Sequence, residues 1–263
     1  MSSSDLQVSV APLPRREVEY FDSISLPVII KNSCSNPLVV DSITVRFQTD
    51  SGTADYYHKT ELAHELAPFS PFASEIVLTP TLEFLKGTNE FSLMVRYRKI
   101  LANVLGDQLH EQYPGAYVIV KSCSKKLGQL FVSFKQPEDR RLARIVERLG
   151  ERAGFQPYLA MNDPVPGQDL WERIEPRLLE SVAVAFIWTE FTEWGAGVDR
   201  EISLCQANNI QHVLLIQRGV ELPNKFKGTG IEYQSFDSED AFGECAKAVT
   251  ALRRILLTKA SNI

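Results

Sequence analysis

The chain has 263 residues, of which 44% are hydrophobic and 23% charged, with a formal net charge of −5. That length suits one large or two ordinary domains of a folded soluble protein. The acidic balance excludes the basic surface that nucleic acid or an anionic membrane requires, and no apolar run approaches the ~18 residues of a membrane span.

The first ~125 residues carry strand patterns. LQVSV (6–10), ISLPVII (24–30), ITVRF (43–47), EIVL (75–78) and FSLMVRY (91–97) are candidate strands, and AYVIVK (116–121) is the last of them. In ISLPVII the residues Ile24, Leu26, Val28 and Ile30 alternate, and in FSLMVRY the residues Phe91, Leu93, Val95 and Tyr97 do the same. Period-2 alternation means one face buried and one wet. SNP (35–37), DSG (50–52) and KGTN (86–89) are turn signals between the runs. The spacing predicts an antiparallel, Ig-like β-sandwich over residues 1–125.

The period changes after KKLG (125–128). LFVSF (130–134) reads as a strand. A helix follows, with Leu142, Ile145, Val146 and Leu149 on one stripe and Gly150 and Gly154 closing it. FQPYL (155–159) is a second strand, and Leu170, Ile174, Leu178 and Leu179 mark a second helix. VAVAFIW (182–188) is apolar throughout, as in a sheet covered on both faces. A helix over 198–208, a strand at HVLLI (212–216), a poorer strand near EYQSF (232–236) and a helix from a Ser238 cap to about Leu257 complete the pattern. Alternating strands and helices predict a five-stranded parallel sheet of flavodoxin-like order 2-1-3-4-5 over residues 126–263. In such a sheet ligands bind beyond the carboxyl ends of the strands, where the order reverses. Phe134 and Lys135 after the first strand and Thr189 onward after the third frame that crevice, so Glu190, Glu193 and Glu201 all fall near it.

Other chemistries are poorly served. Cys34, Cys123, Cys205 and Cys245 lie far apart with no CxxC pair, which reads as free thiols and neither a disulfide frame nor a zinc site. The start MSSSDLQVSV lacks a basic-then-apolar secretion pattern, so a cytoplasmic location is expected. No GxGxxG follows the first α/β strand, which argues against a Rossmann dinucleotide site. His58, His64, His110 and His212 show no triad pattern, and Cys205 beside Leu204 reads as core.

In order along the second half, LFVSF (130–134), PEDR (137–140), MNDPVPGQD (161–169) ahead of LWERI (170–174), ESVAVAFIW (180–188), WGAGVDREI (194–202) and HVLLI (212–216) resemble the motifs of a TIR (Toll/interleukin-1 receptor) domain. The resemblance covers about residues 128–257. It implies cleavage of the N-glycosidic bond of NAD⁺, by hydrolysis or by ADP-ribose cyclisation, in an immune or anti-phage response. NAD⁺ would be the substrate, and no cofactor or metal is implied. The family's catalytic glutamate maps to Glu201. Phe134, Lys135, Gly167, Asp169, Trp171 and Trp194 are the implied substrate-binding residues. The family tryptophan usually stands four residues before the glutamate; here that position is Gly197, and Trp194 stands seven before. The family's enzymes often have an aromatic residue two after the loop glycine, where this chain has Asp169. Activation by self-association through the loop bearing Asp163, Pro166 and Gly167 is implied as well, with the β-sandwich as a sensing or assembly module. The alternative is a non-catalytic TIR adaptor that scaffolds other TIR proteins.

Overall fold

The structure, a computed structural model, describes residues 5–13, 16–49, 52–58, 64–160, 169–192, 196–221, 233–237 and 241–261. The chain divides into two compact units, Met1–Lys121 and Ser122–Ile263.

In chain order the strands of the first unit are β1 (Leu6–Val10), β2 (Glu17–Glu19), β3 (Ile24–Asn32), β4 (Leu38–Thr49), β5 (Gly52–His58), β6 (His64–Leu66), β7 (Pro71–Leu78), β8 (Gly87–Leu101) and β9 (Val104–Lys121). They form a three-stranded sheet, β1-β3-β7, and a larger one, β2-β9-β8-β4-β5, with β6 paired to β4. The alternation in β3 and β8 turns Ile24, Leu26, Val28 and Ile30, and Phe91, Leu93, Val95 and Tyr97, into the core. An all-antiparallel sandwich is corrected at one edge, where β2 pairs with β9 in parallel, making the larger sheet mixed. No hairpin joins these two strands, so the turn geometry that enforces antiparallel pairing is missing. Instead Tyr20, next after β2, is buried, donates its hydroxyl to the Phe84 carbonyl at 2.9 Å and fixes the direction in which the chain enters. β8 and β9 are also longer than the apolar runs predict. They make one hairpin that turns at Ala102 and Asn103, both with positive φ (49° and 66°), which is the twist a two-residue hairpin turn needs.

In the second unit come β10 (Gly128–Ser133), α1 (Arg140–Arg152), β11 (Phe155–Tyr158), α2 (Leu170–Leu179), β12 (Ser181–Trp188), α3 (Ala196–Ala207), β13 (Gln211–Gln217), β14 (Tyr233–Phe236) and α4 (Ala241–Ser261). The five strands are parallel in the order β11-β10-β12-β13-β14, so the direction of winding reverses between β10 and β12. α1 packs with α4, and α2 with α3. β12 is buried at every position but Val182, as an apolar strand between two helical layers must be. Three details differ from the sequence reading. Leu170 and Leu179 are 56% and 45% exposed, because the α2 stripe is narrowed to Ile174 and Leu178. Gly150 lies inside α1, where a Cβ would come within 3.0 Å of both Leu130 and Pro157. The Ser238 cap lies outside the described residues.

Gly154 does end the first helix of this unit, at φ 91°, and a Cβ there would stand 2.4 Å from the Lys125 carbonyl oxygen. A left-handed conformation and a backbone clash together make alanine costly. Gly154→Ala is expected to lower the unfolding free energy by about 1–3 kcal/mol, measured by urea denaturation. An unchanged midpoint would show that the turn relaxes freely.

Candidate active site

β10 runs apolar until its last residue, Ser133, and the chain then leaves the sheet through Phe134 and Lys135. Above the carboxyl ends of β10 and β11 lies a cavity of about 660 Å³. Ser133, Phe134 and Lys135 form one side of it. Asp169, Trp171 and Arg173 contribute from the start of α2, and Gly197, Val198 and Glu201 from α3. The reversal of strand order opens this space, because α2 and α3 rise on one side of the sheet while the β10–α1 connection leaves toward the other.

Glu201 is the sixth residue of α3 and only 7% exposed. Its Oε2 accepts a hydrogen bond from the Ser133 hydroxyl at 2.6 Å. Among the described residues no cation lies within ion-pair distance of it. Burial pushes its carboxyl up from 4.5 to about 7, and the Ser133 hydrogen bond pulls in the opposite direction. One turn further on, the Cys205 thiol is buried and pushed up to about 12, by burial first and by nearby Glu201 second, so it is inert packing and no nucleophile.

Glu190 does not line the cavity. It is exposed and its backbone N–H donates to Gln217 Oε1 at 3.2 Å. Glu193 lies outside the described residues, as do Trp194, Gly167, Asp163 and Pro166. Thr189 does not frame the cavity, contrary to the sequence expectation. It is buried and its hydroxyl donates to both carboxyl oxygens of Asp139, at 2.9 and 3.0 Å. Asp139 begins α1, so Thr189 faces the opposite helical layer from Glu201. Burial raises the Asp139 carboxyl above its ordinary range, and the Thr189 hydroxyl offsets part of that.

Asp169 is more than a loop charge. It caps α2, accepting the Trp171 backbone N–H at 2.8 Å. The Trp171 ring is bracketed from two helices. Its indole N–H donates to Glu175 Oε2 at 2.5 Å, the Arg200 guanidinium stands 4.0 Å from the ring centroid, and Arg200 also donates to Glu175 at 3.2 Å. Lys135 and Arg173 bring positive charge to the cavity wall. Together these groups present a buried carboxyl, two cations and aromatic surface around one cavity. Sequence reasoning passed over Ser133 and Arg173. The signal for Ser133 was present, as the single polar residue closing the run LFVS. Among the described residues no group of three or more His, Cys, Asp or Glu could hold a metal ion.

No protein-family model matches the chain, and no curated protein matches it. Among solved structures, it is similar to the CMP N-glycosidase BcmB of Clostridium botulinum, at 14% identity over 49% of this chain and 98% of that one, with a TM-score of 0.35. The CARDB domain of a Pyrococcus furiosus protein aligns at 18% identity over 44% of this chain and 94% of that one, with a TM-score of 0.27. The sporulation control protein Spo0M of Bacillus subtilis aligns at 11% identity over 56% of each chain, with a TM-score of 0.28. At TM-scores this low none of them assigns an activity to this chain.

Proposed function

We propose that the second unit is a TIR-like NAD⁺ nucleosidase with Glu201 as its catalytic carboxylate. The observation that carries this reading is the placement of Glu201, buried on the wall of the cavity where a doubly wound sheet binds ligands, with Lys135 and Arg173 sharing that cavity. The C1′–N bond of NAD⁺ breaks with both electrons going to nicotinamide, which leaves as a neutral molecule. The Glu201 carboxylate stabilises the oxocarbenium-like ribose. Water then adds to C1′ and gives up a proton, so that NAD⁺ and water yield ADP-ribose, nicotinamide and H⁺. Lys135 and Arg173 hold the pyrophosphate. The first unit senses or assembles, and self-association raises activity.

Because the leaving group is already cationic, Glu201 must be ionised. With its carboxyl at about 7, the rate of nicotinamide release at saturating NAD⁺ is expected to rise as pH rises from 6 to 8, by up to tenfold per unit on the acid side. The assay should be run from dilute to concentrated protein, and specific activity should climb. A rate that falls through the same window would make Glu201 a proton donor to a neutral base and overturn the NAD⁺ reading. Concentrated protein that never consumes NAD⁺ would favour a scaffold with no catalysis.

Among the described residues no helix is long and apolar enough to cross a membrane.

A further inference from the structure

Ser133 and Glu201 are 68 residues apart in sequence, on a strand end and a helix, and their side chains meet at 2.6 Å in a buried position. A lone buried hydroxyl needs a partner, and a backbone carbonyl would satisfy it at less cost than a carboxyl. Here it is aimed at Glu201, the cavity carboxyl that is buried and has no cation within ion-pair distance among the described residues. A carboxylate offers two oxygens with several lone-pair directions, and an unrestrained Glu side chain samples many rotamers. Fixing one oxygen from the strand removes that freedom.

We propose that Ser133 is the positioning residue of this site: its hydroxyl holds one oxygen of Glu201 and leaves the other directed to the substrate ribose. The role rests on the nucleosidase reading for its substrate, while the hydrogen bond itself does not. Other titratable groups stand around Glu201 on the neighbouring elements. Lys135 follows β10, Asp169 and Arg173 face the cavity from α2, and Arg200 and Cys205 flank it on α3. β10 and β12 carry no titratable side chain. These groups are untouched by a change at Ser133, so a shift on removing the hydroxyl belongs to that hydroxyl.

The test compares Ser133→Ala, Ser133→Cys and Ser133→Thr with the parent in the full chain. Two readouts are taken: the titration midpoint of Glu201, from protein labelled with ¹³C at the glutamate carboxyls and assigned with Glu201→Gln, and the pH profile of kcat and KM for NAD⁺. Losing a hydrogen bond to a buried carboxylate should raise the midpoint by about one to two pH units in Ser133→Ala. At pH 7 kcat should fall about 5- to 50-fold with KM within about threefold, and the gap should narrow as pH rises toward about 10, where Glu201 is mostly ionised in both proteins. Ser133→Thr, which keeps a hydroxyl, should restore most of the rate, and Ser133→Cys, a near-isosteric weak donor, should behave like alanine. If the alanine variant folds poorly, the cysteine variant carries the comparison. A midpoint and kcat unchanged in both would overturn the proposal and leave Ser133 as strand-end packing. A shifted midpoint in protein that never releases nicotinamide would uphold the positioning of Glu201 and sink the NAD⁺ reading instead.

Discussion

Glu201→Gln is expected to do two opposite things at once. Nicotinamide release should fall by about 10²- to 10³-fold, the usual effect of deleting one electrostatic stabiliser, with NAD⁺ affinity changed much less. Stability at pH 8 should rise. The folded-state carboxyl stands at about 7 against 4.5 for the exposed group. Between these values the folded protein holds a proton that the unfolded chain has lost, so the parent's stability declines as pH rises from about 4.5 to about 7 and stays low above that. The neutral glutamine removes the decline, worth on the order of 3 kcal/mol at pH 8 if the whole shift is realised. Thermal melts at pH 5 and pH 8, beside initial rates of nicotinamide release, check both halves. A variant that is both active and no more stable would place the chemistry away from Glu201. A variant that is inactive and destabilised at pH 8 would mean that the ionised carboxylate has a stabilising partner at that pH.

The second large effect is structural. Phe186 lies in the middle of β12, with 2% exposure, among Phe131, Val184, Trp188, Leu214 and Ile216. The strand beneath it is covered on both sides, so little can collapse into the space a truncation leaves. Phe186→Ala is expected to cost about 3–5 kcal/mol, read from urea denaturation with intrinsic fluorescence. A loss under about 1 kcal/mol would show that the sheet repacks and that the β12 layer is far looser than its burial implies.

The doubly wound half was largely legible because its signals are local. Apolar runs of strand length alternate with helical stripes, and such alternation admits few topologies. Phe134, Lys135, Asp169, Trp171 and Glu201, picked from sequence, all line one cavity. What escaped depends on contacts between distant residues. The Ser133–Glu201 hydrogen bond joins two elements that periodicity treats separately. The direction of Thr189 follows from Asp139, a partner 50 residues away. The long β8–β9 hairpin was missed because Ala102 and Asn103 adopt positive φ without a glycine to announce it. Leu170 and Leu179 fit a helical stripe by spacing, yet spacing cannot say how wide a face the neighbouring layer covers.

The bracket around Trp171 has a consequence for how this domain tolerates change. Arg200 has a side chain 58% exposed and Glu175 one 38% exposed, values at which substitutions are ordinarily free. Yet Arg200 is the immediate neighbour of Glu201, and its grip on Trp171 and Glu175 ties the rotation of α3 about its own axis to α2. The aim of the buried carboxyl is therefore set in part from outside, by an outrigger in solvent. Exposure is a poor guide here to which positions can drift: a surface exchange at Arg200 or Glu175 alters the bearing of a group it never meets.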